Sequence, residues 1–385
     1  MADTGWQEYA RELARKLQEE DSLPAEWVRD ALLRVPRHLF IEQYYERFES
    51  DSPVVRVDPR SPTNEQLKAI YTDDALMIRQ PPTHSASSQP LIMFLMLHDL
   101  GLDPGMKVLE IGAGTGWNAG LLALGAGDDR LVYSMDIQAD LVEEAAKHLR
   151  AAGFAGVNLR AGDGGYGWPE AAPFDRIIVT AGACDIPPRW TEQLAEGGVL
   201  VLPFNVGGIG FPVLRLVKRD GRVAGRFTRW SGFYPMRGDF GSVPASGQEP
   251  GPSSEVDSLM QGDGTPIVLH QPVEQGLLFF LYLNGIRQTA FIYREGIGSG
   301  FVFLDREAGS LCFIPHGDSP MRVYGSPEMG ERLARMQDEW LALGQPKMTD
   351  YELDYLGPAI CELKANEWLD ERPCARLKVS RRAES

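Results

Sequence analysis

Cysteine is scarce in this chain, and the long apolar runs of membrane proteins are missing. Four cysteines occur among 385 residues, widely separated and without a CxxC pair. This spacing disfavours a disulfide scaffold or a zinc ribbon and fits a reducing cytoplasm. The longest apolar runs, residues 91–97 and 277–283, are far shorter than the roughly 20 residues that a membrane helix needs. The charged N-terminus does not resemble a signal peptide, so we expect a soluble cytoplasmic protein.

Positive charge is also in short supply. The chain carries 38 Lys and Arg against 54 Asp and Glu, a formal net charge of −16. Such a surface repels nucleic acids and anionic membranes at long range. The six histidines show no metal-ligand spacing. We therefore expect a protein without a nucleic-acid, membrane or metal partner.

The length suggests two or three domains. Residues 1–90 are expected to form a helical N-terminal segment and an active-site loop, with helices over 6–17 and from about Pro24, capped by Ser22. Residues 53–90 favour loop with short extended pieces. Residues 91–237 are expected to form the core, 238–264 a Gly-, Pro- and Ser-rich linker without order of its own, and 265–385 an α+β accessory domain.

Apolar strands alternate with helical patterns in the core, which predicts a parallel sheet covered on both faces. The predicted strands are 108–111, 131–135, 157–159, 176–180 and 199–203, and the predicted helices are 116–124 and 140–152. In the accessory domain we expect strands at 276–283, 289–293, 300–304 and 311–315, a helix at 327–343, and then a charged tail.

A glycine-rich turn follows the first core strand in VLEIGAGTGWNAGLLA, residues 108–123. Glycines let the backbone turn sharply and let a ligand approach closely. The spacing is GxGxG, and Trp117 stands where a dinucleotide fingerprint requires its third glycine. Glu110 lies two residues before the first glycine. These features favour a ligand without phosphates, S-adenosyl-L-methionine, over a nicotinamide cofactor.

Carboxylates follow the next two strands. Asp136 ends the segment LVYSMD, where a carboxylate can accept hydrogen bonds from both ribose hydroxyls. Asp163 and Gly164 follow the third strand, where an adenine would lie. Either aspartate alone could equally be a turn or N-cap residue. At the ends of successive strands, the two together favour adenosine binding.

These motifs resemble the protein-L-isoaspartate O-methyltransferase family. The resemblance covers about residues 30–215, and includes VPRHLF at 35–40, AIYTDDAL at 69–76, SSQP at 87–90 and the strand motifs of the core. It implies a Rossmann-like class I S-adenosyl-L-methionine-dependent methyltransferase of α/β class. Its substrate would be the carboxylate of an aspartyl or isoaspartyl residue in a peptide or protein.

The resemblance places Ser88 at the family's active-site serine. We assign Ser88 an orienting role, because an acceptor carboxylate is already ionised at pH 7 and needs no general base. From its residues alone, Ser88 fits better as a polar loop residue before a helix at Pro90. The residues assigned to the cofactor are Ser85, Ser87, Glu110, Ile111, Gly112, Ala113, Gly114, Asp136, Ile137, Asp163 and Gly164.

Candidate substrate contacts are His84, Arg229 and Arg237. The two arginines belong to residues 215–237, which hold seven Arg or Lys and one acid, Asp220. This stretch could receive an acidic peptide, or it could simply be a solvated two-stranded ribbon. A lone loop histidine such as His84 is often only solvated.

The chain departs from the family in two places. The segment RQPPTHSASSQP replaces the usual lead to the serine, and about 150 residues follow the methyltransferase core. The longer form resembles the branch that methylates an aspartate of ribosomally made peptides, such as lanthipeptides and lasso peptides, where the ester closes to an aspartimide. The alternatives are repair of damaged proteins, a SAM-binding protein without turnover, and a nicotinamide oxidoreductase.

Overall fold

A computed structural model describes residues 5–20, 23, 25–46, 52–208, 210–241, 254–261, 264–267, 274–294, 298–315, 320–359 and 361–382. The chain divides into two compact units. Unit 1 is Met1–Pro203, Arg215–Val223 and Phe233–Gln248, and unit 2 is Phe204–Leu214, Ala224–Gly232 and Glu249–Ser385. The predicted helix cap Ser22 and its neighbour Pro24 lie outside the described residues.

The helices of the described residues are α1 Trp6–Glu20, α2 Ala25–Arg34, α3 Asn64–Ile70, α4 Pro90–Leu100, α5 Trp117–Ala126, α6 Ala139–Ala151, α7 Pro188–Gln193, α8 Ser254–Leu259, α9 Gln275–Leu283 and α10 Glu328–Ala342. The strands up to the end of the parallel sheet are β1 Gln43–Tyr45, β2 Val54–Arg56, β3 Leu76–Arg79, β4 Ser85–Ser87, β5 Val108–Ile111, β6 Val132–Asp136, β7 Asn158–Ala161, β8 Phe174–Val179 and β9 Leu194–Pro203. The later strands are β10 Val213–Arg219, β11 Arg222–Arg229, β12 Thr265–Ile267, β13 Gln288–Arg294, β14 Gly298–Asp305, β15 Ser310–Pro315, β16 Met321–Gly325, β17 Tyr351–Gly357, β18 Glu367–Glu371 and β19 Arg376–Arg381.

The core of unit 1 is a parallel sheet in the order β9-β8-β5-β6-β7. Val108 of the central strand pairs with Val132 on one side and with Arg176 on the other. All four residues of β5 are buried, as expected of a strand with neighbours and helices around it. The predicted strand and helix alternation is confirmed, with ends shifted by a few residues, and with it the α/β class of the expected fold.

Residues 53–90 contain more regular structure than the sequence predicted. Thr63 accepts a hydrogen bond from the Gln66 amide and donates its own amide to the Gln66 side chain, a capping box that begins α3. β3 and β4 form an antiparallel hairpin, with Leu76 opposite Ser87. We call residues 76–88 the serine hairpin. The short extended pieces predicted here correspond to the strands of this hairpin. The loop prediction was wrong for α3, although the Thr-x-x-Gln signal was present.

Unit 2 contains two antiparallel arrangements of strands. One sheet has the order β12-β16-β15-β14-β13, and the other set has the order β18-β19-β17-β11. Helix α10 confirms the helix predicted at 327–343. The predicted charged tail was wrong, because β17, β18 and β19 lie within it. Apolar and charged residues alternate along these strands, so one face of each strand is buried. In β17 the residues Tyr351 and Leu353 are on the buried face.

The strand predicted at 276–283 was also wrong, because these residues lie in α9. An unbroken apolar run fits a buried strand and a helix that is buried all round equally well. In α9 the six residues from Leu277 to Tyr282 are all buried. Phe279 contacts Phe227 and Tyr351, with ring centroids 4.9 and 5.1 Å apart. Packing on several sides within unit 2 therefore decided in favour of the helix.

The predicted linker at 238–264 contains ordered residues at both ends. Val256 and Met260 are buried in an apolar cluster of unit 2 with Val302, Leu311 and Phe313. The expectation that this segment could not bury apolar surface was wrong for these residues, while 242–253 lie outside the described part of the chain. Of the helices in the described residues, none has the length and apolar character needed to cross a bilayer.

Candidate active site

The glycine loop connects β5 to α5 at the carboxyl end of the sheet. The amides of Gly112 and Ala113 both donate to the carbonyl of Met135, at 2.8 and 3.0 Å. Gly112 has a φ of +107°, and a Cβ built there would lie 2.4 Å from Thr180 Oγ1. Both the backbone conformation and the space thus require glycine at this position. The loop is held against β6 and β8 by its own backbone.

Asp136 ends β6 beside this loop. Its Oδ2 accepts from the Gly114 amide and its Oδ1 from the Gln138 amide, both at 3.0 Å. Burial raises the pKa of Asp136, and these two amide bonds act in the opposite direction. The carboxylate therefore fixes the glycine loop, and each oxygen keeps a second lone pair for a ligand. Ile137, which follows Asp136 in the sequence, is half-buried.

Glu110 lies within β5 and is fully buried. Its Oε1 accepts from Asn118 Nδ2 at 2.7 Å, and its Oε2 accepts from the Ser134 hydroxyl at 2.5 Å. Burial raises the pKa of Glu110 to about 7, although the bonds from Ser134 and Asn118 lower it; the negative charge of Asp136 raises it further. Glu110 and Asp136 are thus two buried carboxyl groups next to the glycine loop. Their negative charge favours a positively charged ligand.

Asp163 stands at the end of the β7 turn and caps a short 3₁₀ turn that begins at Gly164. Its Oδ1 accepts from the Gly165 amide at 2.9 Å and its Oδ2 from the Asp239 amide at 2.6 Å. The N-cap interpretation weighed from the sequence therefore applies to Asp163. A Cβ on Gly164 would lie 2.3 Å from Ile111 Cγ2, so this glycine lets the turn approach β5 closely.

Residues 233–241 contact the turns that follow β7 and β8, and we call them the cover segment. Met236 donates its amide to Gly182, and Gly182 donates its own to Tyr234, both at 2.8 Å. The segment also holds Gly238, where a Cβ would meet the Asp163 carboxylate at 2.3 Å. The sequence placed residues 238–241 in a linker; in the structure they contact the predicted adenine-binding aspartate.

The serine hairpin approaches the glycine loop. A Cβ built on Gly114 would have the Ala86 carbonyl oxygen as its nearest neighbour, at 3.9 Å. Ser85 and Ser88 are half-buried, whereas Ser87 is buried and its hydroxyl has no hydrogen-bond partner in the described structure. The hairpin thus brings the predicted serines and the predicted cofactor loop together.

The three candidate substrate contacts fall in different places. The His84 ring lies 4.1 Å from the Tyr234 ring of the cover segment. Arg237 lies against Gln138, and with the Gln138 amide turned so that both its polar atoms are satisfied, its oxygen accepts from the Arg237 guanidinium at 2.5 Å. Burial lowers the pKa of Arg237, and Asp136 opposes this. Arg229 is instead the last residue of β11 in unit 2. His84 and Arg237 are therefore placed at the site of unit 1.

Most of the basic stretch 215–237 lies in the neighbouring strands β10 and β11, whereas Arg237 lies in the cover segment. Two of its cations contact backbone carbonyls of unit 1. Arg215 donates to Asp99 at 2.6 Å, and Lys218 donates to Thr191 and Leu194 at 2.8 and 2.9 Å. Arg215 and Lys218 therefore stabilise the fold of unit 1.

Sequence reasoning missed two residues next to the serine hairpin. Arg37 lies in the motif VPRHLF and donates to the carbonyls of Ser87 and Ser88. Asp73 lies in AIYTDDAL and contacts Gln89 and the Leu91 amide. Both motifs were recognised, but no sequence spacing indicates which backbone a side chain reaches across 50 residues.

The residues around the loop fit S-adenosyl-L-methionine. Two orphaned polar atoms lie there, the hydroxyl of Ser87 and Oδ1 of Asn118, both buried without a hydrogen-bond partner in the described structure. Glu110 and Asp136 add buried negative charge, which a bound cation would stabilise. This cofactor carries a positively charged sulfur. In the described part of the chain, no cluster of three His, Cys, Asp or Glu could hold a metal.

Comparison with known proteins shows the family of the chain. Residues 56–237 match the family model described as protein-L-isoaspartate(D-aspartate) O-methyltransferase. Protein-L-isoaspartate O-methyltransferase from Dictyoglomus thermophilum is 35% identical over 240 residues, which is 62% of this chain and 96% of that protein. The chain belongs to the protein-L-isoaspartate O-methyltransferase family. The Pyrococcus horikoshii protein of the same name is also 35% identical, over 58% of this chain and 91% of that one.

A solved structure named protein-L-isoaspartate O-methyltransferase also resembles this family member over most of its length. It is 26% identical with a TM-score of 0.55, and it covers 90% of this chain and 96% of its own. The protein is thus a SAM-dependent (iso)aspartate O-methyltransferase with a class I fold. The C-terminal extension, which suggested the peptide-tailoring branch, also accompanies a protein of this general name, so length does not distinguish the branches.

Proposed function

We propose that this methyltransferase acts on L-isoaspartyl residues of damaged proteins and peptides. The observation that carries the proposal is the approach of the serine hairpin to the glycine loop, where Ala86 faces Gly114. The relatives named for isoaspartate support this choice over the peptide-tailoring branch, which gains no support from the comparisons. The four cysteines form no disulfide in the described structure, which suits the reducing cytoplasm proposed for this enzyme.

The residues proposed to hold the cofactor surround the glycine loop. Gly112–Gly114 would leave backbone space for it, Asp136 would accept hydrogen bonds from its ribose, and the turn at Asp163 and Gly164 would hold its adenine. When bound, S-adenosyl-L-methionine supplies an electrophilic methyl group on a positively charged sulfur. Ser85, Ser87, Glu110, Ile111 and Ile137 complete the proposed set.

Ser88 is proposed to orient the acceptor. An isoaspartyl residue carries a free carboxylate that is ionised at pH 7, so no base has to remove a proton. The Ser88 hydroxyl would donate a hydrogen bond to the oxygen that does not attack, which fixes the direction of the other. His84 and Arg237 would contact the peptide around this carboxylate, and Arg229 is retained as a weaker candidate.

Replacement of Ser88 tests this assignment. Ser88→Ala should lower the single-turnover rate of methyl transfer on the order of 10²-fold, because a positioned donor is lost. Cofactor affinity should stay near that of the wild type, since Ser88 is not among the residues proposed to bind it. Rates at saturating cofactor and a calorimetric titration measure the two quantities. Ser61→Ala is a matched control outside the hairpin, and a Ser88→Ala enzyme as fast as the wild type would leave Ser88 without a role.

Peptide selectivity separates repair from peptide tailoring. We expect the wild type to methylate a linear isoaspartyl peptide far faster than the same sequence with L-aspartate or a cyclised aspartyl peptide. The measurement is kcat/KM on the three peptides, each free of other carboxylates near the residue. A preference for the cyclised aspartyl peptide would instead establish the tailoring activity.

A further inference from the structure

Arg37 is a fully buried arginine whose guanidinium group contacts two distant segments. Its Nη1 and Nη2 atoms donate to five backbone carbonyl oxygens at 2.8–3.2 Å, those of Ile70, Thr72, Asp74, Ser87 and Ser88. A planar fork of N–H donors is what allows one side chain to serve so many acceptors. Arg37 thereby ties the turn at 70–74 to the serine hairpin.

The same guanidinium group also lies over the glycine-loop helix. Its central carbon is 5.2 Å from the centroid of the Trp117 ring, and Trp117 is the first residue of α5. The Trp117 indole nitrogen in turn donates to the carbonyl of Val35 at 3.1 Å. The segment that carries Arg37 is therefore anchored to the element that begins directly after the cofactor loop.

Asp73 holds the chain on the other side of Ser88. Its Oδ2 accepts from Gln89 Nε2 at 2.8 Å, and its Oδ1 accepts from the Leu91 amide at 2.7 Å. Leu91 lies in the first turn of α4, whose N-cap residue Gln89 makes no side-chain cap of its own. Asp73 thus supplies the missing cap from a distant turn. The backbone before and after Ser88 is fixed by Arg37 and Asp73 respectively.

Stability alone does not account for a charged side chain at this place. Burial removes water from the guanidinium group and lowers the pKa of Arg37 to about 10, while the charge of Asp73 opposes the shift. Such a group remains charged at pH 7, and burying a charge costs folding free energy that a packed apolar side chain would not. Five directional hydrogen bonds fix the position of the backbone, which an apolar side chain cannot do.

We propose that Arg37 and Asp73 are positioning residues that together fix Ser88 relative to the cofactor loop. The inference rests on the orienting role proposed for Ser88. Neither residue touches substrate in this account, and both act through the backbone on either side of the serine. A displacement of about 1 Å in such a group can slow a reaction on the order of 10²-fold.

A double-variant comparison tests the proposal with the full chain. Arg37→Gln should slow single-turnover methyl transfer to an isoaspartyl peptide by about 10- to 100-fold, with cofactor affinity within about twofold of the wild type. Arg37→Lys, which keeps the charge and three donors, should slow it less. If Arg37 acts through Ser88, Arg37→Gln combined with Ser88→Ala should be no slower than Ser88→Ala alone.

The control separates positioning from general stability. Leu17→Ala removes buried apolar contact in α1, away from the hairpin, and should lower the melting temperature without changing the single-turnover rate. Multiplicative rate losses in the Arg37→Gln, Ser88→Ala double variant, or an equal slowing by Leu17→Ala, would overturn the proposal. Should Arg37→Gln fail to fold, Arg37→Lys and Asp73→Asn carry the same test, again compared with and without Ser88→Ala.

Hydrogen exchange distinguishes failure of this inference from failure of the proposed function. Arg37→Gln and Asp73→Asn should speed amide exchange in peptides covering 85–91 and leave strand β8, residues 174–179, unchanged. If Ser88→Ala is as fast as the wild type, the orienting role of the serine is wrong, whatever the exchange shows. If Ser88→Ala is slow but exchange at 85–91 is unchanged in both variants, the positioning proposal alone is wrong.

Discussion

Glu110 lies in the central strand under the glycine loop, bonded to Asn118 and Ser134 and shielded from water. Burial raises its pKa from 4.5 to about 7. The folded protein therefore keeps a proton that the unfolded chain releases between these two values. The free energy of unfolding should fall as pH rises through this window and should change no further above it.

Removing this carboxyl should remove that part of the pH dependence. Glu110→Gln keeps the shape and one acceptor oxygen but cannot ionise. We expect the unfolding free energy of the variant minus that of the wild type to increase by about 1–3 kcal/mol as the pH is raised from about 5 to about 8. Urea unfolding at several pH values measures it. Glu143→Gln on the exposed face of α6 is the control, and curves that stay parallel for Glu110→Gln would refute the argument.

Asp136 connects loop geometry to cofactor binding. Asp136→Asn replaces one acceptor oxygen by an amide that faces the N–H groups of Gly114 or Gln138, and it removes the charge offered to the ribose. We expect cofactor affinity to weaken by about 1–3 kcal/mol. Calorimetric titration of the folded variant tests this, with the exposed Asp103→Asn as control. An unchanged dissociation constant would remove Asp136 from the cofactor site.

Residue roles were predictable where a motif carries the chemistry and unpredictable where tertiary contact does. Glycines and aspartates after successive strands indicated the cofactor site, because parallel strands end at one edge. The N-cap role of Asp163 was among the alternatives that the sequence offered, but its hydrogen bond from the Asp239 amide needed the structure, since Asp239 is 76 residues away. The contacts of Arg37 across 33 to 51 residues have no sequence signature either.

At the scale of elements, local signals and packing compete. The β5–α5 unit was predicted closely, since a short apolar run followed by glycines allows few alternatives. For α9, the sequence could not distinguish a strand from a helix, and contacts of Phe279 with Phe227 and Tyr351 decided. In β17–β19 the outward-facing residues are charged, and for this reason the sequence was interpreted as a charged tail and not as strands.

Helix α3 offers a test of a local signal. Its capping box satisfies the Gln66 amide through Thr63 and the Thr63 amide through Gln66. Thr63→Ala should lower the free energy of unfolding by about 1 kcal/mol, because the hydroxyl that accepts from the Gln66 amide is lost. Thr63→Ser retains the hydroxyl and should stay close to the wild type. Chemical denaturation of the three proteins measures the effect, and equal loss in both variants would contradict it.

At the scale of the whole molecule, the methyltransferase chemistry is assigned to unit 1. The glycine loop, the serine hairpin, the cover segment and both positioning residues belong to it. Unit 2 has its own core, including the cluster around Val302 and Phe313. A solved structure named protein-L-isoaspartate O-methyltransferase matches 90% of the chain, so the added residues are compatible with the repair activity proposed here.

Net isomer conversion tests the central proposal most directly. A methyl ester on the isoaspartyl carboxylate is attacked by the neighbouring backbone nitrogen, methanol leaves, and the resulting five-membered imide takes up water to give either isomer. Because only the isoaspartyl product would be methylated again, repeated rounds should deplete it.

The measurement is chromatographic separation of the two isomers of one linear peptide, incubated with enzyme and excess S-adenosyl-L-methionine. The account predicts that an isoaspartyl peptide disappears while its L-aspartyl isomer accumulates, and that Ser88→Ala slows this conversion. Accumulation of isoaspartate from an L-aspartyl peptide would contradict the account and identify a tailoring enzyme.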